Sequence, residues 1–263
     1  MEYNRAFLDT NVLVNILAES YQGQYLFELL KNNNFQIVTF RKCIYEVYSI
    51  LKGTTKSGLA NKNNPLKHIL PPEINDIAQK LFKKVPDIDK KGNTYYWYNL
   101  CEEWQGWNFF ENSEKHIEEY VKDTEKKEAI KLFEIQKQFV KWKQSLLSAF
   151  CKIDAIIKSK NIYICEYFQI YTSEWYRDKG FFYEQELSKN SLLPNEDFEI
   201  IMAALFLKSK VFITNETKDS GIIWRGGLSF GLNSPSISFC CPERLEDAIR
   251  ENFACRFYNK KRT

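Results

Sequence analysis

Short apolar, β-branched runs alternate with helix-patterned segments in this chain, and that alternation constrains the fold more than any other feature. The runs are Arg5–Asp9, Phe35–Thr39, Val211–Thr214 and Ile237–Cys240. Each is bounded by turn residues or a helical pattern and has the length of a strand, not of a buried helix. Strands separated by helices cannot close into hairpins, so they pair in parallel with helices covering the faces. The expected fold class is therefore α/β, a central parallel sheet flanked by helices. In such a sheet all strand carboxyl ends share one edge, and ligands bind along it.

Acids recur at that edge. Arg5-Ala-Phe-Leu ends in Asp9, and a helical pattern runs at once to Leu17, with Thr10 or Asn11 placed to cap it. After Phe35–Thr39 a helix spans Arg41–Leu51, with Gly53 as its stop. Cys43, Glu46, Val47 and Ile50 share one face of it, and Glu46 is the acid among them. Pro194-Asn-Glu-Asp197 opens a helix, Phe198–Lys208, that is apolar nearly all round and so buried against the sheet. Glu216 and Asp219 follow the strand Val211–Thr214. A cap, a rim glutamate or a turn residue explains each acid singly. Four of them, Asp9, Glu46, Asp197 and Glu216, converge on one edge, and clustered carboxylates repel unless a cation sits among them.

Composition narrows the cation. The two histidines, His68 and His116, lie outside the strand-bearing segments, and none of the seven cysteines forms a C-x-x-C pair. A Ser–His triad and a zinc site are thereby disfavoured. An all-oxygen donor set selects Mg²⁺ or Mn²⁺, ions that polarise phosphates and activate water. A net charge of +3 permits a polyanionic partner without requiring one. No apolar run has transmembrane length and no signal-like leader opens the chain. The expected location is cytoplasmic, with no membrane partner.

The middle of the chain is different. From Thr54 to Pro72 there is no acid, and Lys56, Lys62 and Lys67 stand in an irregular basic segment that leaves the helix of Glu46. They are candidate contacts to substrate phosphates, set against the plainer reading of a solvated loop. Tyr95–Tyr98, Trp104, Trp107, Phe109 and Phe110 read as the core of a subdomain. From Trp107 to Lys179 there is neither Gly nor Pro. Stripes at Ile117, Tyr120, Val121 and Thr124, and again at Phe133, Ile135, Phe139, Trp142 and Leu146, predict one or two long amphipathic helices. The periodicity of Ile162–Thr172 leaves helix and strand open. Gly221–Gly231 contains glycines but no G-K-[ST], so it is no P-loop.

Taken together, Phe7-Leu-Asp9-Thr-Asn11-Val-Leu resembles the opening motif of PIN-domain nucleases. Asn195-Glu-Asp197-Phe-Glu-Ile-Ile-Met-Ala-Ala204 is similar to their third-acid helix, and Val211-Phe-Ile-Thr214-Asn-Glu216 to their last acidic turn. Glu46 in Tyr45-Glu-Val-Tyr48 matches the acid after their second strand, and Ser238-Phe-Cys-Cys-Pro242-Glu-Arg-Leu their closing strand and helix. The resemblance implies a Rossmann-like PIN domain, formed by residues 1–53 and 192–263, and a mainly helical insertion, 54–191. It also implies a Mg²⁺- or Mn²⁺-dependent endoribonuclease acting on single-stranded RNA as a toxin, a defence nuclease or a processing enzyme. Asp9, Glu46, Asp197 and Glu216 would hold metal, with Asn11 and Thr214 in support. Asp219 stands as the alternative fourth acid, because Glu216 occupies a place where aspartate is common. An inhibitor or antitoxin protein and further copies of the chain are admitted as partners. The competing reading is an inactive PIN-like scaffold that binds RNA or protein.

Overall fold

The computed structural model describes residues 4–51, 65, 66, 68, 69, 126–188, 195–215, 237–255, 257 and 258; within them, the side chains at 49, 126–140, 142, 143, 186–188, 195–197 and 257 lie outside the description. The expected aromatic core at 95–110 and the glycine loop at 221–231 fall outside the described residues. The chain divides by contact into two units, Met1–Val47 with Ile156–Thr263, and Tyr48–Ala155.

The first unit carries the sheet. Its strands are β1 (Asn4–Leu8), β2 (Phe35–Phe40), β3 (Tyr163–Cys165), β4 (Val211–Ile213), β5 (Ser238–Cys240) and β6 (Phe257–Tyr258). They pair in the order β3-β2-β1-β4-β5-β6, and every pairing is parallel. Between them run α1 (Thr10–Leu17), α2 (Tyr21–Asn32), α3 (Arg41–Leu51), α4 (Lys126–Ser159), α5 (Tyr167–Tyr171), α6 (Phe181–Ser188), α7 (Asn195–Phe206) and α8 (Leu245–Arg250). Helices α3 and α4 each carry residues of both units. This is an α/β fold, and its strand order is that of doubly wound sheets, with the order reversing between β1 and β4.

Burial explains why these strands read as unbroken apolar runs. Ala6, Phe7 and Leu8 of β1 and Val211, Phe212 and Ile213 of β4 are fully buried, as expected of strands covered on both faces. Register places Phe7 opposite Phe212 and Phe212 opposite Phe239. Their rings follow suit, with Phe7 stacked on Phe212 at 5.1 Å and Phe212 against Phe239 at 5.5 Å. Each such pair adds about 0.5–1.5 kcal/mol beyond its buried area. Beyond the last β1–β2 pair, the buried Thr39 hydroxyl donates to the Leu8 carbonyl at 3.0 Å.

Helices stop by a shared device. Glu19, Asn34, Asn161, Lys208 and Asn252 have positive φ, between 49° and 57°, two residues past the ends of α1, α2, α4, α7 and α8. Left-handed backbone at that position turns the chain back and satisfies the last carbonyls. At α7, for example, Ser209 N–H reaches the Ala204 carbonyl at 3.0 Å, and β4 begins two residues later.

Two local expectations change in the structure. The cap of α1 is Asp9 itself, whose carboxylate accepts from Thr10 N–H, so neither Thr10 nor Asn11 is the cap. Residues 162–172 are both strand and helix, since β3 pairs with Val38–Phe40 and α5 follows at once. Because β3 joins the sheet, the chain from Ile156 onward belongs with it. By contact the division falls at 47/48 and 155/156. Strand β6, two residues long, has no periodicity to betray it.

In the second unit, Tyr48 packs on Phe150 with ring centroids 4.4 Å apart and donates to Asp154 at 2.5 Å. Leu51, Leu66, Leu146, Ala149 and Ile153 are fully buried, the last three at i, i+3, i+7 spacing on α4.

Gly23 reports how closely α1 and α2 pack. A Cβ there would stand 2.0 Å from the Asn15 carbonyl oxygen, which is backbone and cannot swing aside. Helix propensity alone favours Gly23→Ala by about 0.5–1 kcal/mol. The clash dominates, so the variant should instead be destabilised by about 1–3 kcal/mol in denaturant unfolding. A variant more stable than the parent would contradict the close approach.

Candidate active site

The strand ladders run one residue past β1, β4 and β5. Asp9 N–H donates to Ile213, Thr214 N–H to Cys240 and Cys241 N–H to Tyr258, each at 3.0 Å. Asp9, Thr214 and Cys241 therefore stand level on the carboxyl edge, and Asp9 and Thr214 flank the point where strand order reverses. A crevice opens at such a point because the helices leaving neighbouring strands cover opposite faces.

Asp9 is only 5% exposed. Its Oδ1 accepts from Thr10 N–H at 2.7 Å and its Oδ2 from the Thr214 hydroxyl at 2.8 Å. It also sits at the amino end of α1, where the helix dipole favours a negative charge. Glu46, half-buried on the second turn of α3, accepts a hydrogen bond from the Thr10 hydroxyl. Thr10 thus touches both carboxylates, one through its amide and one through its side chain. Cys43, fully buried one turn before Glu46, registers the same two charges. Its thiol is pushed up to about 12, first by burial and then by Asp9 and Glu46, against hydrogen bonds from Thr10 and Thr39.

Ion pairs hold the neighbouring elements to this edge. Arg41, the first residue of α3, makes a forked pair with Glu166, the residue that caps α5 just after β3. Lys42 pairs with Glu199 of α7 at 3.0 Å. Both pairs are partly exposed, worth no more than about 1 kcal/mol each. Their use is positional, since Lys42–Glu199 ties the first turns of α7 to the start of α3.

The structure brings Asp9, Glu46 and Thr214 together. Asp197 falls in the first turn of α7, with its side chain outside the described residues. Glu216, Asp219, Lys56, Lys62 and Lys67 also lie outside the described residues. Asn11 is exposed, and its described hydrogen bond is made by its carbonyl, which accepts from the Asn215 amide at 3.3 Å. The bonds described on the Asp9 carboxylate come from Thr10 and from Thr214, one of the residues expected to support it. Thr10 is the residue that sequence reasoning undervalued. Its one signal was a β-branched hydroxyl residue directly after the acid, at a helical position where propensity favours other residues.

Among the described residues, no group of three or more His, Cys, Asp and Glu side chains is gathered for a metal. Asp9 and Glu46 supply two carboxylates, and the further acids expected have side chains outside that set. The donor chemistry present fits Mg²⁺ or Mn²⁺: hard oxygens, held in place by hydrogen bonds from Thr10 and Thr214.

The chain matches no family model, no curated protein and no solved structure. No helix among the described residues is long and apolar enough to cross a membrane.

Thr214→Val removes the donor to a buried carboxylate and should cost about 1.5–3 kcal/mol in denaturant unfolding, with Thr214→Ser recovering most of it. Equal stabilities for the valine and serine variants would show that the hydroxyl contributes nothing.

Thiol chemistry gives an independent check on burial. At pH 8 a thiol reagent should modify the exposed Cys151 and Cys255 in the folded protein. It should spare Cys43 and Cys165, both pushed up to about 12, and Cys240 and Cys241, also raised, all four chiefly by burial. Rapid labelling of Cys43 without unfolding would contradict its complete burial.

Proposed function

We propose that the chain is a metal-dependent endoribonuclease with a PIN-like catalytic unit interrupted by a mainly helical segment. The observation that carries this reading is the Asp9–Thr10–Glu46 linkage at the β1/β4 edge. Two acids 37 positions apart in sequence are held by one residue at the place where doubly wound folds bind ligands. A fold that needed only a helix cap would have no use for a second carboxylate beside the first, because like charges in a poorly solvated place repel.

Asp9 and Glu46 would hold the ion, with Asp197 and Glu216, or Asp219 in its stead, completing the set. Bound there, Mg²⁺ or Mn²⁺ supplies polarisation of a phosphodiester and activation of water. The chain's own part is to fix the donors. Thr10 and Thr214 restrain the Asp9 carboxylate, and the Thr10 hydroxyl restrains Glu46. Lys56, Lys62 and Lys67 would meet substrate phosphates. The preference for RNA rests on the motif resemblance at residues 7–13, 195–204 and 211–216.

The test is incubation of the full chain with single-stranded RNA and Mn²⁺, with sequencing of the new ends. Cleavage should need the ion, leave 5′-phosphate and 3′-hydroxyl ends, and fall by at least about 100-fold in Asp9→Asn and Glu46→Gln. Without metal, Asp9→Asn should melt close to the parent, because its amide retains an acceptor for Thr10 N–H and can donate to the Thr214 hydroxyl. Full activity in excess EDTA, or cyclic-phosphate ends, would overturn the reading.

A further inference from the structure

We infer that Thr10 is a positioning residue that sets Glu46 against Asp9, so that the two carboxylates act as one metal-binding unit. The inference rests on the metal-dependent reading of this site and goes beyond it by naming the residue that makes the site.

Thr10 is the first residue of α1 and is only 5% exposed. Its amide donates to Asp9 Oδ1 at 2.7 Å. Its hydroxyl, which in a helix commonly turns back to a nearby carbonyl, instead reaches 36 residues along the chain to Glu46 Oε2. The amide is fixed by the helix and the hydroxyl by the side chain, so a single backbone position locates both acids. Threonine suits this role better than serine, since its branched Cβ restricts χ1. Glu46 lies on a long, flexible side chain and is half-buried, so a donor at that point narrows the rotamers it adopts. Residues that orient metal ligands typically change metal affinity or activity by about 10–100-fold when removed.

The experiment is Mn²⁺ titration of the full chain by calorimetry and by thermal shift, both without substrate. Thr10→Val should bind Mn²⁺ about 10–100-fold more weakly than the parent, and Thr10→Ser within a few-fold of it. In a Glu46→Gln background, Thr10→Val should cause little further loss, because its effect passes through Glu46. Should Thr10→Val not fold, Thr10→Ala removes the same donor without setting a methyl group against the carboxylate, and takes its place. Parental affinity in the valine or alanine variant overturns the inference, as does a loss that is fully additive with Glu46→Gln. Serine binding as weakly as valine also overturns it, since the hydroxyl would then be irrelevant. If the parent binds no Mn²⁺, or Asp9→Asn binds it equally well, the metal site itself is lost and the inference with it. Parental binding that depends on Asp9 but is indifferent to Thr10 leaves the nuclease reading standing and removes only Thr10.

Discussion

The carboxylate of Asp9 is the charge around which the first unit is arranged. Taking an ionised carboxylate out of water costs several kcal/mol even after the protein relaxes. Two hydrogen bonds to a charged acceptor return about 1.5–3 kcal/mol each, and a helix amino terminus up to about 2 kcal/mol more. These terms are of the same size, so Asp9 is tolerated rather than a source of stability. Its surroundings follow from that balance. The Thr10 amide and the Thr214 hydroxyl both donate to it, and each arrives from a different part of the chain. Thr214 can reach Asp9 only because β4 lies beside β1, and that adjacency is a property of the sheet order.

The parallel sheet supplies the remaining constraint. With all strands pointing one way, every β-to-α turn opens on the same edge, and the polar residues in those turns collect there. Arg41 with Glu166, and Lys42 with Glu199, use this edge to brace α3 against α5 and α7. Glu46 is carried on α3, so the same braces that orient the helix also locate the acid. Position here comes from rigid elements, with hydrogen bonds refining the side chains.

Much of this was legible in the residues. The strands at 5–9, 35–39, 211–214 and 237–240 are recognisable because buried parallel strands are apolar without interruption, and β1, β2, β4 and β5 lie on those runs. Asp9 and Glu46 stood out because an acid directly after such a run, or on the apolar face of the next helix, is costly without a purpose. Strand β3 was ambiguous for a physical reason. Three residues, Tyr163–Cys165, followed at once by a helix, offer too few periods to separate 2.0 from 3.6. A strand at the sheet edge draws the chain around it into the same core, and so little pattern does not announce it.

The sequence by itself determined the class of fold and the sheet edge at which the β-to-α turns open, since both follow from local pattern and from the one-way geometry of parallel strands. Tertiary structure alone decided the strand order β3-β2-β1-β4-β5-β6, the donors that hold Asp9 and the bond from Thr10 to Glu46. Those depend on contacts between residues 36 and 205 positions apart, and no local propensity encodes which of several hydroxyls a distant carboxylate will meet.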